Sequence, residues 1–363
     1  DGKNYFRIGE AGLKIPTWFG ADLKLAYSWS NGVFLNPANN LPANGQAIAG
    51  LSPPQGLQAL TNRVDVYQQL KAAGFSAQLN DFDLSAVINS GCDQIYYRVS
   101  KEKPVVHHVI NQAALLLPED GRLFLAGYKN EGAKTYIDKA AKSLGALVNK
   151  ALGGKTAMLA EIVRDDQQAA VLDDKHYCDT VMLNADNEAD FYSKPGVYGW
   201  NKIDKGSRYL IEHLDTFMPT VEGATERFAD IGCGFGYLSV MASKKYSGFY
   251  SACDNNVAAV NCCQLNFQHN GVDGEVLLDD CAETMLPGFD VVLCNPPFHK
   301  GFDVESDLCQ RFLAAAYRLL RAKGAALFVV NAFIPVEKKA ASLFSKVEIV
   351  ANNGSFKLVA VYK

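Results

Sequence analysis

No C-x-x-C pair occurs in this chain, although it holds nine cysteines. An odd number without paired spacing argues against a disulfide framework and against a zinc site. Cys262 and Cys263 are adjacent and would diverge on a helix. Cys233, Cys253 and Cys294 fall where strands are expected to end, as reduced, buried thiols do. No metal is expected. Also lacking is any run near the roughly eighteen uncharged apolar residues of a membrane span. The longest candidate, Gly324 to Ile334, has the length of a strand. No secretory leader is visible. These absences point to a cytoplasmic protein without a membrane partner.

Basic charge is short overall, with a net of −4, but the deficit is unevenly placed. Residues 1–164 hold 17 Lys and Arg against 13 Asp and Glu, a net of +4. Residues 165–363 hold 18 against 26, a net of −8. A basic first half can be an electrostatic footprint for nucleic acid. A solvated helix face carrying Lys134, Lys139 and Lys142 explains the same charges. The length of 363 residues, 48% hydrophobic and 20% charged, accommodates two globular domains.

The second half reads as alternating strand and helix. Strands are expected at Phe228 to Asp230, Phe249 to Cys253, Glu275 to Leu278, Asp290 to Cys294 and Ala325 to Asn331. Helices are expected at Tyr237 to Lys245, Val257 to His269, Leu308 to Leu320 and Glu337 to Phe344. Val347 to Val350 and Phe356 to Tyr362 can close a hairpin around Asn352-Asn353-Gly354. This order predicts a mostly parallel sheet with helices on both faces and an antiparallel edge. The first half repeats the style less clearly. Val64 to Ala73, Val106 to Leu117 and Gly132 to Leu144 read as helices. Gln94 to Val99 and Arg122 to Ala126 read as strands. No glycine-rich turn follows any of these strands. The expectation is an α/β chain of two tandem Rossmann-like domains, 1–164 and 165–363, the first degenerate.

Asp230-Ile231-Gly232-Cys233-Gly234-Phe235-Gly236 follows the first strand of the second half. Gly232, Gly234 and Gly236 lack Cβ, so a ligand can approach the backbone. In open α/β sheets ligands bind beyond the carboxyl ends of the strands. A dinucleotide pyrophosphate would be repelled by Asp230. A carboxylate there suits an ammonium group instead, as in the methionine moiety of S-adenosylmethionine. Asp254, with Asn255 beside it, ends the second strand and can accept both ribose hydroxyls. Asp280 ends the third and can accept from the adenine amine, with the Cys281 N–H facing a ring nitrogen. Each acid alone fits a helix N-cap; three at successive strand ends, with the glycine turn, fit a cofactor.

Asn295-Pro296-Pro297-Phe298-His299 follows the fourth strand. The Asn295 side-chain oxygen and the Pro296 carbonyl can each accept from one amine. Held so, the amine keeps its lone pair toward a methyl donor. Proline restricts Asn295 to extended backbone. Phe298 offers a face for a base. These residues point to a methyltransferase; no base role falls to His299.

The second half resembles the class I domain of the bacterial ribosomal RNA guanine-N2 methyltransferases, which include small-subunit methyltransferase C and large-subunit methyltransferase G. The resemblance rests on the glycine turn, on Asn295 to His299, and on Val329-Val330-Asn331-Ala332-Phe333. It extends to Gly354-Ser355-Phe356-Lys357 and to Gly196-Val197-Tyr198 with Asp204-Lys205-Gly206-Ser207. The family usually has Phe-Ser after Gly-Val, where this chain has Tyr198-Gly199. Cys92 to Gly132, with Ile95-Tyr96-Tyr97 and Lys101-Glu102-Lys103-Pro104, is more similar to the small-subunit enzyme. Residues 1–60 match neither. The resemblance implies a duplicated architecture with an inactive first copy. It implies guanine-N2 methylation of 16S RNA, with 23S RNA as the close alternative. It also implies that Asp204 and Gly206 lie against the cofactor. Enzymes of adenine N6 or of protein glutamine share the Asn-Pro-Pro turn, usually with Tyr at the position of Phe298. A non-catalytic RNA-binding protein is the remaining alternative, and Asp230, Asp254 and Asn295 together argue against it. Lys101, Lys103, Lys129 and Lys134, with Phe356 and Lys357, are candidate contacts to ribosomal RNA, free or within a subunit or assembly intermediate. A monomer is expected.

Overall fold

The computed structural model describes residues 58–85, 93–153, 157–165, 170–185, 189–221, 223, 226–297 and 302–363, with backbone also at 13–14 and 24–25. The chain divides into two compact units, Asp1–Tyr177 and Cys178–Lys363. The division falls after Tyr177 rather than after residue 164, because the segment leading to it packs on the first unit. Tyr177 is buried in that unit's core, and its hydroxyl donates to Asp81 (2.6 Å). Asn111 donates to the Leu172 carbonyl and accepts from its N–H, both at 2.8 Å.

In the first unit β1 (Gln58–Thr61), α1 (Val64–Ala72) and β2 (Ser76–Leu79) form a parallel pair with its crossover helix. β3 (Gln94–Arg98), α2 (Lys103–Leu116), β4 (Arg122–Tyr128), α3 (Ala133–Leu144), β5 (Gly145–Gly153) and β6 (Ala157–Arg164) follow. Their sheet runs β3-β4-β6-β5, with β3 parallel to β4 and the rest antiparallel. α2 opens with Pro104 in its first turn, where no N–H is needed, and stops before Pro118. β4 alternates, with Leu123, Leu125 and Gly127 inward, as a strand with one core face must. The β5–β6 hairpin was not expected from the sequence.

The second unit opens with a hairpin, β7 (Val181–Ala185) and β8 (Ala189–Ser193), and α4 (Lys205–Glu212). Its sheet comprises β9 (Arg227–Ile231), β10 (Phe249–Asp254), β11 (Gly274–Leu278), β12 (Phe289–Cys294), β13 (Leu320–Asn331), β14 (Lys346–Asn352) and β15 (Phe356–Tyr362). The helices between them are α5 (Tyr237–Ser243), α6 (Val257–Asn270), α7 (Phe302–Leu319) and α8 (Val336–Ala340). The order is β11-β10-β9-β12-β13-β15-β14, parallel except where β15 meets its two neighbours. Every residue of β12 is buried, because alternate side chains enter two separate cores. Val291 and Leu293 face one, Val292 and Cys294 the other. That two-sided burial is why the segment is an unbroken apolar run. α6 ends on Gly271 in the left-handed conformation (φ +67°), the stop expected from Asn270-Gly271.

The four strands β3-β4-β6-β5 repeat the topology of β12-β13-β15-β14. Each outer strand carries a bulge, at Leu147/Asn149 and at Ile349/Ala351. The β1-α1-β2 unit repeats β9-α5-β10 in order and direction. The difference lies in the connection. Only Asn62 and Arg63 join β1 to α1, whereas Gly232 to Gly236 join β9 to α5.

Candidate active site

The connection from β9 to α5 takes three left-handed glycines, with φ of +74° at Gly232, +56° at Gly234 and +88° at Gly236. The Gly232 and Cys233 N–H groups both donate to the Cys253 carbonyl (2.8 and 2.9 Å), which pins the turn to β10. At Gly236 a Cβ would lie 2.7 Å from Cys263 Sγ, so this glycine lets α6 pack against the turn. At Gly234 a Cβ would meet nothing within 4 Å. That residue therefore borders open space, as a backbone approached by a ligand must. Cys233 is buried, and its thiol is pushed well up by the Cys263 thiol beside it and by burial. The eight described cysteines are all free.

Asp230 is 1% exposed. Its Oδ2 accepts from the Ser239 N–H (3.2 Å) and hydroxyl (2.8 Å). Its Oδ1 is buried without a partner. Burial pushes its pKa up to about 7, and Asp254 adds to the rise. Asp254 spends both oxygens locally: Oδ2 accepts from the Gly234 N–H and Oδ1 from the Asn256 N–H, each at 3.0 Å. Each oxygen of a carboxylate can accept more than one hydrogen bond. At the third strand end, Asp280 accepts from Asn255 (3.1 Å) and pairs with Arg311 (2.5 Å). Arg311 thus shares the carboxylate read as an adenine contact. Cys281 and Ala282 follow with φ of +51° and +57°, two consecutive residues in a region that side chains disfavour. An uncompensated buried acid oxygen, a cradle open at Gly234 and an acid at the second strand end fit the ammonium, methionine and ribose parts of S-adenosylmethionine.

Asn295, one residue past β12, donates its Nδ2 to Asp204 Oδ2 (2.8 Å) and to Ser207 Oγ (2.7 Å). Pro296 is buried beside it. Asp204 is the N-cap of α4 and also accepts from the Ser207 N–H (2.8 Å). At Gly206 a Cβ would lie 3.0 Å from Asp204 Oδ2 and 3.2 Å from Phe356 Cε1. So Asp204, Gly206 and Phe356, read singly from the sequence, form one cluster with Asn295. Ser207 was quoted only as part of a motif; its contact with Asn295 had no signal beyond the Asp-x-x-Ser spacing of an N-cap. Phe298 and His299 lie outside the described residues.

Lys101, Lys103, Lys129 and Lys134 are exposed. Lys357, expected at the RNA, is not available to it: it is 4% exposed, and its Nζ pairs with Glu337 at 2.7 Å. β15 lies between β13 and β14 and is buried from Lys357 to Val361, which the place of Lys357 near a polar turn concealed. A glycine precedes the middle member of the register row Gln94–Arg122–Val163 in the first unit, Gly121, and of Val291–Ala325–Tyr362 in the second, Gly324. Arg98 ends β3, the strand whose place in the sheet order is that of β12. It is buried and paired with Glu131 at 2.6 Å. Neither a glycine turn nor an acceptor amide is present at these places.

Residues 188–360 match the family model described as methyltransferase small domain. A protein of Citrobacter koseri named ribosomal RNA small subunit methyltransferase C is 29% identical, over 74% of this chain and 75% of its own length. One of the same name from Shigella flexneri is 28% identical over 84% and 87%. A solved structure entitled T. thermophilus 16S rRNA N2 methyltransferase in complex with AdoMet and guanosine shares the fold. Its TM-score is 0.72 at 23% identity, covering 84% of this chain and 82% of that one. The second unit is a class I, S-adenosylmethionine-dependent methyltransferase domain. The chain as a whole is a homologue of the proteins named ribosomal RNA small subunit methyltransferase C.

Proposed function

We propose that the chain transfers a methyl group from S-adenosylmethionine to the exocyclic N2 of a guanine in 16S ribosomal RNA. The observation that carries this reading is the Asn295 amide. Both its hydrogens are engaged on the α4 side, so its oxygen is left to accept from an incoming amine. The Pro296 carbonyl supplies the second acceptor. Bound S-adenosylmethionine supplies a methyl group activated by its sulfonium. Asp230, through water or the adjacent backbone, balances an ammonium group. Gly232 to Gly236 and Asp254 hold the chain and ribose, and Asn255, Asp280 and Cys281 border the adenine. Positioning accounts for most of the rate in such a transfer, so no protein base is needed and the released proton goes to solvent.

The target guanine must leave its helix, because a stacked base cannot bring N2 to a strand end. The acidic second half repels RNA, and the lysines of the first unit draw it in. The substrate is ribosomal RNA within a subunit or an assembly intermediate, and the chain acts in the cytoplasm as a monomer. The small-subunit names of its relatives favour 16S over 23S RNA. Phe298, in place of Tyr, disfavours adenine N6 and protein glutamine. Nucleoside analysis of ribosomal RNA from cells lacking the gene tests the proposal. One N2-methylguanosine should disappear from 16S RNA; its loss from 23S RNA instead, or no loss, overturns it.

A further inference from the structure

The two acceptors on Asn295 come from a segment remote in sequence, and they decide which way its amide faces. A carboxylate oxygen only accepts. With Asp204 Oδ2 at 2.8 Å, the atom facing it must be the amide nitrogen. Ser207 Oγ, at 2.7 Å, takes the other hydrogen, and Ser207 is 8% exposed. A flipped amide would set Oδ1 against the Asp204 carboxylate, acceptor against acceptor, and lose the charge-assisted bond. The same Asp204 oxygen also caps α4 through the Ser207 N–H, and Gly206 leaves room for it beneath Phe356. The acceptor amide is thereby keyed to the start of a helix.

We infer that Asp204 and Ser207 are positioning residues for methyl transfer: they hold the Asn295 oxygen toward the guanine amine instead of contacting the cofactor. The inference rests on the acceptor role proposed for Asn295.

The purified full chain, small-subunit RNA and S-adenosylmethionine test it. Ser207→Ala removes one acceptor but keeps the backbone N–H that caps α4. Its kcat should fall about tenfold, with cofactor affinity and melting temperature unchanged. Ser207→Thr should recover most of the rate. Asp204→Ala should lower both kcat and melting temperature. Asp204→Asn, whose one oxygen can receive both donors, should restore much of each. A wild-type kcat in Ser207→Ala, or a loss matched by weaker cofactor binding, overturns the inference. Asn295→Ala separates the two levels. If it keeps most of the rate, the acceptor reading itself fails. If it is inactive while Ser207→Ala turns over normally, only the positioning role fails.

Discussion

Asp254 does two things with one carboxylate. It ties the Gly234 and Asn256 N–H groups together, and as a charged acceptor at the end of β10 it is the residue proposed to take the ribose. Removing it loses a charged acceptor and loosens the cradle. Asp254→Ala should weaken S-adenosylmethionine binding by about 1.5–3 kcal/mol in calorimetry. An unchanged affinity would remove Asp254 from the cofactor site. Asp230 behaves differently because it is desolvated. Its pKa is pushed up to about 7, above the value of about 3.9 in an unfolded chain. Between these values the folded state holds the extra proton. The residue's contribution to stability is therefore present below about pH 4 and lost as pH rises through about 7. An ammonium group favours the ionised form, so cofactor affinity should rise with pH through 7, with a proton released on binding below it. Calorimetry in buffers of different ionisation enthalpy measures that proton. Asp230→Asn should abolish the release, and a pH-independent affinity in the wild type would contradict this role.

The elements differ in how plainly the sequence announces them. β9, β10 and β12 are apolar runs ending in a glycine, an acid or an Asn-Pro, and both the strands and the acids at their ends were legible. The β5–β6 and β7–β8 hairpins were not, because Lys150, Gly153 and Asn184 interrupt short apolar stretches that only pairing makes continuous. α8 was expected to reach Phe344 but ends at Ala340, where the Leu343 and Phe344 N–H groups both turn back to one carbonyl. Of the site, Asp254 could be named from its place at a strand end and Asn295 from its place before two prolines. The partnership of Asn295 with Ser207 spans 88 positions, and local pattern carries no trace of it. The same holds for Asn266 on α6, buried and fully bonded. It exchanges bonds with the Tyr192 backbone (2.6 and 2.8 Å) and donates to the Phe235 carbonyl (2.7 Å). It thus holds β8 beside the glycine turn, and Asn270, one helical turn on, adds a bond to Asp190. Asn266→Ala leaves three backbone groups unmet and should cost about 3 kcal/mol of stability. A urea midpoint equal to wild type would show that β8 is held otherwise.

At the scale of the whole molecule, the two units share part of a topology and differ in what it carries. The second retains the glycine turn, the strand-end acids and the acceptor amide. The first has a two-residue connection where the turn would be and a buried Arg98–Glu131 pair at the end of the strand that takes the place of β12. What it keeps is exposed basic charge, on Lys101, Lys103, Lys129 and Lys134. Replacing all four by glutamate should raise the RNA concentration needed for half-maximal rate and flatten its salt dependence, while calorimetry finds cofactor affinity unchanged. Wild-type behaviour of that variant would leave the first unit a structural role alone. Among the described residues no helix is long and apolar enough to cross a membrane.

The central claim is that Asn295 presents a guanine N2 to the methyl group of S-adenosylmethionine. Its most direct test is mass spectrometry of nucleosides from unmethylated small-subunit RNA treated with the purified chain and isotopically labelled cofactor. The account predicts label in N2-methylguanosine at one site, absent when Asn295→Ala replaces the wild type although that variant still binds the cofactor. Label in N6-methyladenosine, or label undiminished in Asn295→Ala, would contradict it.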